Sequence, residues 1–143
     1  MTTVIFFAGG GTNSATPFYS AQTLGKISLI KSIELLDYEI DNIKAFILGP
    51  GWVKTKIHSA TLKAKEKAGA NYKKTLTMLE SPEKLNSIPK IISHVHTLME
   101  LPKNLVGGRN FASVNDEIKK EKLERLLGIN KDSYKLRRLL NDK

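Results

Sequence analysis

The chain has 143 residues, of which 41% are hydrophobic and 26% are charged, so it is long enough for one domain with a sizeable core, and its composition argues against wholesale disorder or a fibrous repeat. It has no cysteine, which excludes disulfides, thiolate zinc sites and cysteine nucleophiles. The net charge of +9 is the compositional outlier, and charge of this sign attracts nucleic acid or an anionic membrane face.

Much of the positive charge lies in residues 54–74 and near the C-terminus. The lysine-rich segment lacks the interleaved aromatic residues of a base-stacking platform, so we expect a solvated lysine-rich face rather than a nucleic-acid site. No apolar run approaches the roughly 20 residues that a membrane-spanning helix needs, and no basic region precedes an apolar segment at the N-terminus. We therefore expect a cytoplasmic protein with no membrane partner.

The N-terminal stretch predicts a strand, a glycine loop and a helix. Val4 to Ala8 is a continuous apolar run, typical of a strand buried on both faces, and Gly9-Gly10-Gly11 ends it. Thr16 as N-cap and Pro17 in the first turn predict a helix from Pro17 to about Leu36. In α/β proteins this unit carries ligand sites at the carboxyl end of the strand, so function is expected near residues 9–19.

The apolar positions of this first helix cover a wider arc than a surface helix needs. We therefore expect residues 17–36 to pack against the sheet on one side and against a partner molecule on the other. The positions are Phe18, Ala21, Leu24, Ile27, Leu29, Ile30, Ile33, Leu35 and Leu36.

The middle of the chain predicts a second strand, a lid and a second long helix. Ile43 to Leu48 is a buried strand that ends at Gly49-Pro50-Gly51, and residues 56–80 form a mobile, lid-like helical segment because they are polar and only weakly amphipathic. Ser81-Pro82 is typical of a helix start, with an apolar face running to Leu98. Pro89 lies inside that helix, so it is either kinked or begins later.

The C-terminal part predicts one more strand and two surface helices. Asn110 to Val114 is the strand, and Ile118 to Leu127 and Ser133 to Leu140 are the helices. Residues 115–143 thus form a helical extension, and the fold class is α/β in one domain of residues 1–143.

Most of the chemistry-bearing residues have an ordinary structural interpretation. The three glycines match neither the dinucleotide fingerprint nor the Walker loop, so a structural turn is favoured over a phosphate cradle. His94 and His96 are two residues apart, about 200° around a helix, so they would not share a metal ion and we expect no metal site. No carboxylate pair stands out. From its position alone, Tyr19 could either point its hydroxyl toward the ligand crevice or pack in the core.

A resemblance to a known family favours the first of these alternatives. FFAGGG at residues 6–11, PFYSA at 17–21 before a long apolar helix, and a strand ending in GPGWVKT at 49–55 resemble the C-terminal half of a short-chain dehydrogenase/reductase. GGRNFASVNDE and SYKLRRLL in the later part are similar to the last strand and C-terminal extension of members linked to sugar or polysaccharide metabolism. The resemblance covers essentially the whole chain and implies three parallel strands of a Rossmann-like, doubly wound sheet.

The resemblance assigns catalytic positions that this chain fills only in part. In the family a serine, a tyrosine and a lysine four residues later transfer hydride with a nicotinamide cofactor. Tyr19 corresponds to the tyrosine, whereas Ala8 and Thr23 stand at the serine and lysine positions. Lys26 lies about 10 Å along the helix axis from Tyr19, too far to replace the lysine simply.

The resemblance also implies cofactor contacts and a missing half. Pro50, Gly51, Val53 and Thr55 correspond to the residues that hold the nicotinamide and the adjoining phosphate of NAD or NADP. Residues 56–80 correspond to the substrate loop. The glycine-rich loop and acidic ribose residue of the adenine side have no counterpart.

The sequence leaves three functional hypotheses open. The first is a truncated or split short-chain dehydrogenase/reductase, inactive alone, with a separately encoded N-terminal half. The second is a non-catalytic oligomeric scaffold that retains the half-fold and associates through helix 17–36. The third is a basic nucleic-acid binder. The resemblance also makes Val4 to Ala8 an edge strand without charge or proline, so we expect another half, a second copy or aggregation to cover it.

Overall fold

In the computed structural model, which describes residues 1–138, three parallel strands form one open sheet. The strands are β1 (Thr2–Phe7), β2 (Ile43–Gly49) and β3 (Asn110–Ala112), and their order in the sheet is β1-β2-β3. The predicted α/β class and the three predicted strands are confirmed. The prediction that β1 is buried on both faces is wrong for this chain, because β1 is an edge strand with Phe6 and Phe7 exposed.

Helix α1 (Ser20–Glu39) begins and ends three residues later than predicted. Thr16 is not its N-cap, because Phe18 has a left-handed backbone with φ of 66° that keeps residues 17–19 out of the helix. Ile30 and Ile33 are its buried residues, whereas Leu24, Leu35 and Tyr38 are exposed. The side of α1 that was predicted to face the sheet therefore packs in the fold, and the side that was predicted to face a partner molecule is exposed.

The segment predicted as a lid is helical but broken into short pieces. It contains a 3₁₀ turn at Lys56–His58, helix α2 (Ser59–Ala64), a second 3₁₀ turn at Lys65–Ala68 and helix α3 (Ala70–Leu79). Gly69, with φ of 59°, makes the bend before α3. This segment, residues 56–80, is called the lid below. It contacts the residues before α1, since the Asn71 side chain donates to the Pro17 carbonyl at 3.0 Å.

Helix α4 (Ile88–Glu100) begins later than Ser81, which confirms one of the two alternatives raised by Pro89. The N-cap is Ser87, whose hydroxyl accepts from the Lys90 amide at 3.3 Å, and Pro89 lies in the first turn, where its missing N–H costs nothing. Ser81-Pro82 begins only a 3₁₀ turn, Pro82–Lys84.

The C-terminal part is less helical than predicted. After α4 come α5 (Lys103–Val106), β3 and α6 (Lys120–Ile129). The predicted helix at Ser133 is wrong for the described residues, because Tyr134 has φ of 63° and residues 131–135 form turns; Leu139 and Leu140 lie outside them. The tail is fixed instead by Arg109, whose guanidinium donates to the carbonyls of Lys131 and Ser133.

The core is centred on β2. Along a strand side chains alternate between faces, so Phe46 and Leu48 point toward α4 and α6, and Ala45 and Ile47 point toward α1. All four are fully buried. Among the described residues, no helix has both the length and the apolar character needed to cross a bilayer.

Candidate functional site

The loops that follow the strands lie along the carboxyl edge of the sheet, where parallel α/β sheets bind ligands. The Ala8 amide donates to the Leu48 carbonyl at 3.0 Å, and the Ser113 amide donates to the Gly49 carbonyl at 2.8 Å. These bonds align the ends of β1, β2 and β3. The glycine loop and the loop 49–55 are therefore neighbours, as the resemblance implies.

Tyr19 lies at the N-cap of α1 rather than inside its first turn. Its backbone carbonyl accepts from the Thr23 amide at 2.8 Å, and its half-buried side chain makes a hydroxyl–hydroxyl hydrogen bond with Thr61 of α2. Thr61 is itself buried, at 7% exposure. The phenol thus connects the start of α1 to the lid, and the same bond occupies the group that would act on a substrate.

The two positions that the resemblance assigns to a serine and a lysine, Ala8 and Thr23, carry no equivalent chemistry. Ala8 follows β1 and offers only its backbone. Thr23 packs against the glycine loop, so closely that a Cβ on Gly11 would lie 2.7 Å from its methyl group. Gly11 also has φ of 97°, a conformation that favours glycine.

The ammonium of Lys26 reaches the end of β1. It donates to the Phe7 carbonyl at 2.8 Å, and its side chain crosses so close to Gly9 that a Cβ there would lie 2.9 Å from Lys26 Cγ. Helical spacing gives only the distance of Lys26 from Tyr19 and does not predict this contact. The one signal for it in the sequence is Gly9, since a glycine opposite a long side chain leaves a channel for it.

The loop 49–55 contains all four residues assigned to the cofactor. Gly51 has φ of 75° and faces the Val114 side chain so closely that any Cβ would clash with it. The Pro50 carbonyl accepts from the Asn86 side-chain amide at 2.8 Å, and the Val53 carbonyl bonds His58 Nε2 at 2.9 Å. Thr55 is exposed at the N-cap of the 3₁₀ turn, where its side chain makes no capping bond.

Trp52 and His58 connect this loop to the lid. Their rings stack with centroids 5.1 Å apart and planes 10° apart, and Lys74 Nζ of α3 lies 5.9 Å from the Trp52 ring centroid. A cation at this distance from an indole face is attracted to it. The lid is therefore attached to the start of α1 through Thr61 and to loop 49–55 through this stack.

Asn86, Ser113 and His94 form a polar chain that the sequence pattern does not predict. Asn86 Nδ2 donates to Ser113 Oγ at 2.9 Å, and Ser113 Oγ lies 3.0 Å from His94 Nδ1. Because Ser113 Oγ accepts from Asn86, its proton is free to go to His94 Nδ1. Burial, reinforced by the charge of Lys90, lowers the pKa of His94, which favours this neutral form. Ser113 is 1% exposed, so the chain joins loops rather than presenting a nucleophile.

Two open surface pockets lie elsewhere on these elements, and neither is lined by Tyr19 or by loop 49–55. One, of about 370 Å³, is lined by His94, Ser113 and Asp116; burial raises the pKa of Asp116, although the Ala112 amide donates to it at 2.6 Å. The other, of about 630 Å³, lies in the lid among Lys63, Lys65 and Lys67. Those lysines are exposed, as in the solvated face expected from the sequence. Within residues 1–138, no three His, Asp or Glu side chains cluster as metal ligands would.

Comparison with known proteins gives no match: no family model, no curated protein and no solved structure is similar to this chain. Function is therefore inferred from the fold, from the residues at the carboxyl edge and from the sequence motifs.

Proposed function

We propose that this chain is the C-terminal half of a short-chain dehydrogenase/reductase-like oxidoreductase, incomplete as a catalyst without the N-terminal half of that fold. One observation supports this most strongly. Three parallel strands in the order β1-β2-β3 bring the glycine loop with Tyr19 and the GPGWVKT loop to the same edge of the sheet. In a Rossmann-like, doubly wound sheet this edge is where the nicotinamide end of NAD or NADP meets the substrate.

The residues of loop 49–55 fit the nicotinamide end of the cofactor. Thr55 has a hydroxyl without a capping bond, and the Val53 carbonyl keeps a second lone pair beside the one used by His58. When bound, the cofactor supplies hydride chemistry. The lid, which already contacts Tyr19 and Trp52, would exclude water from the crevice.

The catalytic positions explain why this chain would not convert a substrate alone. Ala8 offers no hydroxyl, Thr23 offers no ammonium, and the Tyr19 hydroxyl is held by Thr61. Residues for the adenine side are missing from the sequence. We therefore propose NAD(P)-dependent oxidoreduction of a hydroxyl or carbonyl substrate, with a sugar as the favoured class, only for the assembled enzyme.

The proposal is tested with the part of the cofactor that this chain would hold. Trp52 is the chain's single tryptophan and lies in the proposed site, so its emission reports a dihydronicotinamide ring bound nearby. Reduced nicotinamide mononucleotide should quench Trp52 with a dissociation constant in the millimolar range, about −4 kcal/mol, whereas AMP should not. Thr55→Ala should weaken the quenching several-fold, and Thr77→Ala on α3 is the matched control. Equal effects of both nucleotides, or none of either, would overturn the proposal.

A second candidate function is that of a non-catalytic interaction protein. The observation that favours it is the number of large apolar side chains that the fold leaves exposed on β1, α1 and α4: Phe6, Phe7, Leu24, Leu35, Ile88, Ile92 and Met99. Apolar surface of this kind marks interaction sites on soluble proteins. Sedimentation of the purified chain, with Leu35→Lys as the test of α1, would show whether that helix associates.

A further inference from the structure

The free edge of β1 has a defined pattern of backbone groups. In the parallel register Thr2 pairs with Ile43 and Phe7 with Leu48. The Thr2 amide donates to the carbonyl of Asn42, just before β2, at 2.8 Å, and the Ala8 amide donates to the Leu48 carbonyl at 3.0 Å. In a parallel strand the residues that bond one neighbour alternate with those that face away from it. The N–H and C=O groups of Thr3, Ile5 and Phe7 therefore point away from β2, toward the free edge of the sheet.

Within the described residues, Phe7 is the one member of this outward set with a partner, the ammonium of Lys26 on its carbonyl. Lysine beside an edge strand is a common guard against strand pairing. Here it caps one carbonyl at one end. The other outward groups of β1 are left for water or for another strand.

The side chains of β1 do nothing to prevent pairing. Residues 2–7 contain only threonine, valine, isoleucine and phenylalanine, with no charge, proline or glycine. Phe6 is 38% exposed and Phe7 is 47% exposed, and they lie on opposite faces of the sheet. A strand of this composition pairs readily with a copy of itself.

We propose that two copies of the chain associate by antiparallel pairing of their β1 strands about a two-fold axis at Ile5. In this register Thr3 faces Phe7 of the second copy, Ile5 faces Ile5, and Phe7 faces Thr3, so every outward N–H meets an outward C=O. On the other face of the strand Val4 and Phe6 are partners. Each exposed phenylalanine thus packs against a β-branched residue, a favourable cross-strand pair.

The lack of charge on β1 allows a second copy of the chain to pair with its free edge. A two-fold interface requires a self-complementary surface, which an uncharged strand with a symmetric set of outward groups provides. Lys26 gives up the Phe7 carbonyl to Thr3 of the other copy. The two Lys26 ammonium groups then lie at opposite ends of the pair, about 13 Å apart, beyond the roughly 8 Å over which charges act at physiological salt.

Pairing through β1 does not depend on the proposed oxidoreductase activity. It has a consequence for that activity, however, because a self-paired edge occupies the place where a separately encoded half would continue the sheet. The two functions of β1 are therefore mutually exclusive at any moment.

Hydrogen exchange of the intact chain tests the pairing without any substitution. In dilute solution the amides of Thr3, Ile5 and Phe7 should exchange rapidly, while those of Val4, Phe6 and Ala8 are protected by β2. At high concentration the first set should become protected in parallel with the appearance of a dimer in sedimentation. Rapid exchange of the first set in a dimer, or a monomer at every concentration, would overturn the proposal and leave the edge to a different chain.

Cross-linking tests the register, since the chain has no native cysteine. Val4 and Phe6 of the other copy form a pair without mutual hydrogen bonds, whose Cα separation of about 4.5 Å suits a disulfide. A mixture of Val4→Cys and Phe6→Cys chains should oxidise to a mixed dimer, and either variant alone should not. Lys26→Met should tighten the dimer about a hundredfold, the equivalent of two competing hydrogen bonds, one in each copy. Cross-linking of the single variants instead would contradict this register.

Discussion

Strands β1 and β2 are both short apolar runs in the sequence, yet the fold treats them in opposite ways. Ile47 and Leu48 of β2 have no exposed surface, whereas Phe6 and Phe7 of β1, their partners across the ladder, are 38% and 47% exposed. Both strands form for the same reason, because β-branched and aromatic side chains suit a pleated surface. Their burial is decided by their place in the sheet.

The backbone shows the same difference. β2 has a strand on each side, and where β3 has not yet begun, the Ala45 amide donates to the Asp37 carboxylate at 2.9 Å while its carbonyl accepts from the Gly108 amide at 2.7 Å. β1 has a strand on one side and a single lysine on the other. A buried strand must have every polar group paired, whereas an edge can rely on water.

The largest expected effect is the difference between removing an aromatic ring from each strand. Phe46→Ala should lower the free energy of unfolding by about 3–5 kcal/mol, because it leaves a cavity in a packed core. Phe7→Ala should cost about 1 kcal/mol, because roughly half of that ring is already in water. Urea unfolding at low protein concentration measures both. Equal losses would mean that β1 is as buried in solution as β2.

A smaller contrast comes from a lysine on β2 and a lysine beside β1 that both donate to backbone carbonyls. Lys44 of β2 is 6% exposed, and its ammonium donates to the Met99 carbonyl and to the Leu101 carbonyl at 2.9 Å, which closes the end of α4. Lys44→Met should cost about 1–3 kcal/mol because two acceptors lose their donor, whereas Lys26→Met should cost less than about 1 kcal/mol. Denaturant midpoints of the two variants give the comparison. A neutral Lys44→Met would show that the desolvation of the ammonium offsets its hydrogen bonds.

Local sequence patterns predicted all three strands, and the resemblance predicted that they are neighbours in a parallel sheet. Local patterns failed where distant contacts shape the backbone. Phe18 and Tyr134 both have positive φ without being glycine. The Phe18 ring packs beside Gly69, and the Tyr134 carbonyl accepts from the Asn110 amide at 2.8 Å. Neither contact can be deduced from the residues nearby in sequence, so the start of α1 and the tail after α6 were predicted wrongly.

The candidate site shows the same limit. The sequence singled out Tyr19, which lies at the N-cap of α1, but its hydroxyl partner Thr61 lies on a different element. Likewise Asn86, His94 and Ser113 come from a loop, a helix and the end of a strand. Polar chains assembled from separate segments carry no spacing motif, and only the fold identifies them.

A third prediction concerns the cap that completes β2. Asp37→Ala should cost about 1–2 kcal/mol, because the buried Ala45 amide loses its acceptor. Asp37→Asn keeps an acceptor oxygen and should cost less. Thermal unfolding of both variants tests this. If the asparagine and alanine variants are equally unstable, the charge of Asp37 matters more than its hydrogen bond.

The smallest expected effect lies where β2 and β3 end, at the chain formed by Asn86, Ser113 and His94. Burial, with a contribution from Lys90, holds the pKa of His94 below its usual 6.5, so the unfolded chain binds a proton more readily than the folded one. Stability from this group is therefore complete above about pH 6.5 and falls as the pH drops through and below that value. β1 has no histidine and should contribute nothing in this range.

The decisive comparison is between two histidine variants of α4. His94→Gln should flatten the dependence of unfolding free energy on pH between about 6.5 and 5, whereas His96→Gln, at an exposed position of the same helix, should leave it unchanged. Glu34 acts in a lower window: Arg137, hydrogen-bonded to Glu34, holds the pKa of that carboxyl at about 2 instead of 4.5, so its contribution is lost only below about pH 4.5. A slope that survives in His94→Gln would mean that the ring is not held neutral against Ser113, and that the ends of β2 and β3 are as open to water as the free edge of β1.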